Sequence, residues 1–209
     1  MQNENEGNAM MKVMKGRMPA LAALAMLGLA LGGCASQVPV KPPAVNFGDH
    51  SPIALDVAVI DVVEQYRPPM AKPNVEHLAP NPPGQAVRRW VTERLRAAGS
   101  SGSAQVIIMD ASIVESQLAR EQGITAFFTT QQSQRYDGRV EVKIVCQSPS
   151  GQTGYAQAMA SRSSTVPEDI SLAGREETWD KLVRGMMEDL DNRLTHAVQD
   201  GLGPMLRAR

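Results

Sequence analysis

Only two cysteines, Cys34 and Cys146, occur in the 209 residues, and no CxxC pair exists. A zinc site built on paired cysteines is therefore excluded, and at most one internal disulfide can form. Histidine is equally scarce. His50, His77 and His196 are far apart and show no i, i+4 ligand spacing, so no metal and no cofactor is expected. Neither GxxxxGK[ST] nor GxGxxG is present, which removes the common phosphate-cradling loops. The nearest approach to the GxSxG elbow of a hydrolase is Gly99-Ser100-Ser101-Gly102-Ser103, where Ser103 stands in place of the final glycine. A dominant charge is also missing: 21 basic and 22 acidic residues give a formal net charge of −1. That balance provides no electrostatic footprint for nucleic acid.

What the chain does have stands at its start. Lys12, Lys15 and Arg17 precede sixteen residues, 18–33, that are apolar or small apart from Pro19, and the run ends on Leu31-Gly32-Gly33-Cys34. A bilayer span needs about 20 apolar residues, whereas a positive segment followed by about 7 to 15 apolar residues suits a cleaved export signal. The stretch is short for a span. It resembles the signals of bacterial lipoproteins, in which the thiol after a small-residue pair is joined to diacylglycerol and becomes the new amino terminus. The resemblance implies cleavage between Gly33 and Cys34 and lipid attachment, with palmitate among the acyl groups, at Cys34. The alternative is an uncleaved anchor with Cys34 as an ordinary thiol. Glu4 and Glu6 are unusual ahead of such a signal, and translation from Met11 or Met14 would remove them.

Three regions follow: a signal peptide over 1–33, an acylated cysteine with a Pro-rich tether over 34–53, and one periplasmic domain over 54–209. Removing the leader, with its three basic and two acidic residues, leaves 18 basic and 20 acidic residues and no polybasic membrane patch. With Cys34 acylated, Cys146 has no partner in the chain and is expected to be a buried small hydrophobe. Residues 35–52 contain Pro39, Pro42, Pro43 and Pro52 and have no helical or strand period. At about 3.1 Å per residue they would hold the domain up to roughly 55 Å from the acyl chains.

Within the domain, residues 55–64 are nearly continuously apolar and predict a central strand covered on both faces. Residues 66–84 carry six prolines and cannot stay regular for long, so this loop is either functional or loosely ordered. A helix over 85–98 follows, with Asn81 available as a cap and Gly99 as the stop. Val87, Trp90, Val91, Leu95 and Ala98 lie on one face, and Arg88, Arg89, Glu93, Arg94 and Arg96 mostly face solvent. Strands are predicted over 105–117, 124–130, 139–146 and 153–165, with a turn at Ser148-Pro149-Ser150-Gly151. Ala156, Ala158 and Ala160 let another element approach closely. The candidate is a closing helix over 171–200, buried through Trp179, Leu182, Val183, Met186, Met187, Leu190, Leu194 and Val198 and ended by Gly201 and Pro204. The class is α+β: a mostly antiparallel sheet with two helices on one face, in the order β-α-β-β-β-β-α.

Phe127 and Phe128 are adjacent and must point to opposite sides of an extended segment. One of them either packs beneath the proline loop or, with that loop, forms a contact surface for lipid or a partner protein.

The lipobox, the helix over 85–98, the strand pair around the Pro149-Ser150-Gly151 turn and the closing helix together resemble the auxiliary lipoproteins of ABC-type transport systems and their uncharacterised relatives. That resemblance implies a non-enzymatic accessory or assembly factor of the Gram-negative envelope, held by its acyl chains, touching envelope proteins or lipid, and serving intermembrane lipid transport. Ala35, following the acylated cysteine and not being aspartate, implies the periplasmic face of the outer membrane. The competing readings are an envelope hydrolase with an unrecognised site and a purely structural tether.

Overall fold

The computed structural model describes residues 42–118 and 132–207. The class is α+β. The elements are β1 (Ile53–Leu55), β2 (Val59–Glu64), α1 (Pro83–Arg94), β3 (Leu95–Ala97), β4 (Ser103–Gln117), β5 (Gln132–Gln147), β6 (Thr153–Pro167) and α2 (Leu172–Leu202), with short 3-10 turns at Glu76–Leu78 and Gly203–Met205. The main sheet has the order β2-β4-β5-β6, parallel at β2–β4 and antiparallel elsewhere, and β1 pairs with β3 in a small parallel sheet.

Alternation builds the large strands. In β5 the residues Tyr136, Val140, Val142, Ile144 and Cys146 are buried, while Arg139 is exposed on the other face. Ala156, Ala158 and Ala160 continue the buried face into β6, and α2 lies across them. Every apolar residue expected on the inner stripe of α2 is buried. The approach is close enough that a methyl group on Gly201 would overlap the Tyr155 carbonyl oxygen. Gly138 is likewise filled from outside, since a methyl group there would stand 2.7 Å from Met186 Sδ. Inside the core the Tyr136 and Trp179 rings meet edge to face with centroids 5.5 Å apart.

Several expectations need correction. The apolar run over 55–64 is not one central strand. It splits into β1 and β2 around Asp56, Val57 and Ala58, and β2 lies at the edge of the main sheet with Val59 and Val63 exposed. A continuous apolar run does not reveal a chain that changes sheets midway, and here Val57 N–H bonds back to the Leu55 carbonyl at 2.9 Å. The helix over 85–98 ends earlier: Leu95, Arg96 and Ala97 are a strand paired with Ile53, Ala54 and Leu55. Asn81 does not cap α1, whose N-cap is Pro82 without a side-chain bond. Gly201 does not end α2, which runs to Leu202. The predicted order also lacked the separate β1 and β3, and the predicted strand over 124–130 lies outside the described residues.

Two features had no sequence signal. A β-bulge between Ile108 and Asp110 shifts the inward residues of β4 from Ala104, Val106 and Ile108 to Ala111 and Ile113. Val45 and Phe47, from the segment expected to be tether, are buried in the core.

Replacing Gly201 with alanine is expected to cost about 1–3 kcal/mol by forcing α2 away from β6. Gly203→Ala, with nothing within 4 Å of the added methyl, stays within about 0.5 kcal/mol. Urea unfolding of the two variants against the parent checks the contrast.

Candidate functional site

Among the described residues, three buried carboxylates organise the polar interior. The first, Asp191, sits on the inner stripe of α2 and is 2% exposed. Its Oδ1 accepts from Trp90 Nε1 at 2.7 Å and from Arg94 Nε at 2.6 Å, both on α1. Its Oδ2 lies 2.6 Å from His50 Nδ1. Arg94 is 4% exposed, and its remaining nitrogens donate to the Ser51 carbonyl and, at 3.0 Å, to Thr195 Oγ1. The expectation that Arg94 belongs to a solvated face is therefore wrong. Burial pushes the Asp191 carboxyl upward, but hydrogen bonds from Arg94, Trp90 and His50, together with the Arg94 charge, outweigh it and hold the group below the usual carboxylate range.

The second, Asp180, lies about three turns earlier on α2. Asn81 donates to its Oδ1 at 2.6 Å and Arg184 Nε to its Oδ2 at 2.6 Å. The same Asn81 and Arg184 also donate to the Pro43 carbonyl. Further along this segment, Glu93 Oε2 accepts the Phe47 N–H at 2.6 Å. Residues 43–52 thus form a strap across the two helices. It is held by Pro43, Phe47, His50 and Ser51 through polar contacts and by Val45 and Phe47 through burial. A segment without its own ladder must have its backbone groups satisfied by other means, and here helix side chains do so.

The third carboxylate, Glu76, is 1% exposed and belongs to the proline loop. It accepts from Tyr66 Oη at 2.8 Å, Asn74 Nδ2 at 3.3 Å and the Ile113 N–H at 3.2 Å. Burial first, and the Glu76 carboxylate second, raise the Tyr66 phenol above its ordinary value. The loop is sewn to the edge of β4 beyond the end of β2. Val75 N–H bonds to the Ile113 carbonyl at 2.8 Å, Glu115 N–H bonds to the Pro73 carbonyl at 2.8 Å, and Gln65 and Tyr66 N–H share the Ile108 carbonyl at the bulge. The loop is therefore built into the fold. A cleft of about 280 Å³ remains beside it, lined by Tyr66, Met70, Glu76, His77, Pro83 and Ile108 among others. His77 Nδ1 is buried without a hydrogen-bond partner.

Of the residues singled out from sequence, Gly33, Cys34, Phe127 and Phe128 lie outside the described residues. Cys146 is buried as expected, and burial raises its thiol pKa to about 11. His50 and His77 occupy different places, the strap and the cleft, and His196 is exposed on α2. Sequence reasoning missed Asp191, Asp180 and Glu76. The signal for the first two was an acid on a stripe that is otherwise apolar.

No family model matches the chain, and no curated protein matches it. Among solved structures it is similar to rare lipoprotein B from Shewanella oneidensis at 12% identity and a TM-score of 0.37, covering 68% of this chain and 95% of that one. A minor lipoprotein from Acinetobacter baumannii gives 12% identity and a TM-score of 0.36, with 74% and 98% covered. A Xanthomonas campestris protein of family DUF330 gives 8% and 0.32, with 77% and 92% covered. At such scores, fold and function rest on the residues of this chain.

Two outcomes test this geometry. Asp191→Asn leaves Arg94 buried without its counter-charge and is expected to cost about 3–5 kcal/mol at neutral pH. Because the folded-state pKa of Asp191 is lowered, its contribution is present above the unfolded value near about 3.9 and is lost as pH falls through the folded value. The gap between parent and variant in urea titrations should therefore narrow on acidification. In a Cys34→Ser background, Cys146 at pH 8 is thiolate to only about one part in a thousand. A thiol reagent should modify it in denaturant and leave it unmodified in the folded protein.

Proposed function

We propose that this chain is a lipid-anchored protein of the Gram-negative envelope, held by acyl chains on Cys34 at the periplasmic face of the outer membrane, whose folded unit acts by contact as an accessory factor. The observation that carries the reading is the Leu31-Gly32-Gly33-Cys34 lipobox behind a basic and apolar leader. Two acyl chains make such anchoring stable, at about 0.8 kcal/mol per buried methylene, where one would be marginal. Ala35 in the sorting position supports the outer membrane. Service to a transporter that moves lipid between membranes is the role that the resemblance to transport auxiliary lipoproteins suggests.

The polar interior supports contact over catalysis. Asp191, Asp180 and Glu76 are each engaged by donors that join elements of the fold. The His50–Asp191 pair is where a hydrolase would begin, since a histidine oriented by a carboxylate is half of a nucleophilic triad. Among the described residues, however, no serine, threonine or cysteine side chain bonds to the His50 ring, and Ser51 contributes its carbonyl to Arg94.

Labelled palmitate fed to a Gram-negative host expressing the chain should appear in the protein, in the outer-membrane fraction. Cys34→Ser should abolish the label and leave a larger precursor. An intact leader and an unmodified Cys34 on the parent protein, read by mass spectrometry, would overturn the proposal.

A further inference from the structure

The strap fixes one point on the path between the folded unit and the anchor. Asn81 and Arg184 both hold the Pro43 carbonyl. Nine chain steps lead from Cys34 to Pro43. At about 3.3–3.6 Å each they reach at most about 30 Å, roughly half of the tether length that composition alone implies. The unit is longer than that. The 31 residues of α2 extend about 46 Å, and Arg184 lies about 18 Å from its start and about 27 Å from its end. Bringing the far end of α2 to the lipid would use nearly the whole contour length from Cys34, whereas the near end is within easy reach. The outer face of the sheet lies behind the strands as seen from Pro43.

That near end carries exposed apolar side chains. Met70 is 65% exposed, Leu78 50% and Leu172 68%. Leu78 is three residues from Asn81, which grips Pro43. Met70 lines the cleft that Pro82 and Pro83 also line. Leu172 begins α2 one turn before Arg175, which donates to Tyr136 Oη at 2.9 Å. Tyr136 in turn lies opposite Glu115, the partner of Lys72 at 2.7 Å. The three residues therefore surround one end of the core. Among the described residues, the other exposed large apolar side chains are Val59 and Val63 on β2 and Tyr155 on β6. Charges near the end are of both signs, with Arg67, Lys72 and Arg175 against Glu168, Asp169, Glu176 and Glu177, and give no basic patch, so its attraction to lipid is apolar in character.

From the contour length between Cys34 and Pro43, the fixed place of Pro43 and these three side chains, we infer that the end formed by the proline loop and the start of α2 rests on the bilayer that holds the acyl chains, with Met70, Leu78 and Leu172 in its interface. This inference rests on the anchored reading above. It assigns the opposite end, and the outer face of the sheet, to the periplasmic side.

The test uses acylated full-length protein in vesicles of phosphatidylethanolamine and phosphatidylglycerol, with a nitroxide placed in turn by Met70→Cys, Leu78→Cys, Leu172→Cys and, as a control, Tyr155→Cys. Cys146, being buried, remains unlabelled. The first three labels should be at least about tenfold less accessible to a water-soluble nickel relaxant than the control, and more accessible to oxygen. Equal aqueous access at all four sites, in protein whose mass shows the acyl chains, overturns the inference and leaves anchoring intact. Protein without acyl chains on Cys34 overturns both. Protection already present in the unacylated Cys34→Ser form without vesicles assigns this end to a second copy of the chain and also overturns the bilayer assignment.

Discussion

A carboxylate taken almost wholly out of water between two helices must be matched by donors, or it unfolds what surrounds it. Asp191 is such a group, and its match joins three parts of the chain at once. Trp90 and Arg94 bring α1, His50 brings the strap, and Asp191 itself belongs to α2. Since Arg94 also binds the Ser51 carbonyl and Thr195, one ion pair sets the spacing of the helices and the path of the chain entering the domain. The apolar contacts of Trp90, Leu190 and Leu194 supply burial around it but have no comparable directionality.

Much of the scaffold was legible because it obeys simple periods. The stripe from Trp179 to Val198 follows the helical repeat, and β5 alternates inward and outward residues, so neither depends on what lies far away in sequence. The polar site was not legible for the complementary reason. Arg94 and Asp191 are 97 residues apart and Asn81 and Asp180 are 99 apart, so an acid on the stripe of α2 stands out locally while the partner that explains it does not. Pairing is a property of the fold. The bulge near Met109 and the change of sheet after Leu55 are similar: each moves the chain by a residue or a strand without altering the apolar composition that a sequence pattern detects.

The proline loop shows how an irregular segment becomes part of a sheet. β2 pairs with the first half of β4 and leaves at the bulge, where one carbonyl takes two N–H groups. The residues around Asn74 then occupy the edge that β2 vacates, and Glu76 turns inward to accept the Ile113 N–H. Prolines suit this path, because the edge needs a few ladder bonds and no continuous strand. A sheet edge that would otherwise be open to another chain is covered in this way.

The same reasoning accounts for why charges, and not apolar residues, join the helices to the strap. Two helices alone can be held by well-packed apolar side chains, often as stably as by a buried ion pair. A strap cannot, because its carbonyls and N–H groups leave water as it docks and each needs a partner. The Pro43 carbonyl finds Asn81 and Arg184, the Phe47 N–H finds Glu93 and the Ser51 carbonyl finds Arg94. These side chains do for residues 43–52 what a neighbouring strand does for a strand, and Asp180 and Asp191 keep the two arginines aligned. A buried acid on each half of α2 is thus the counterpart of a chain that must lie flat on the helices.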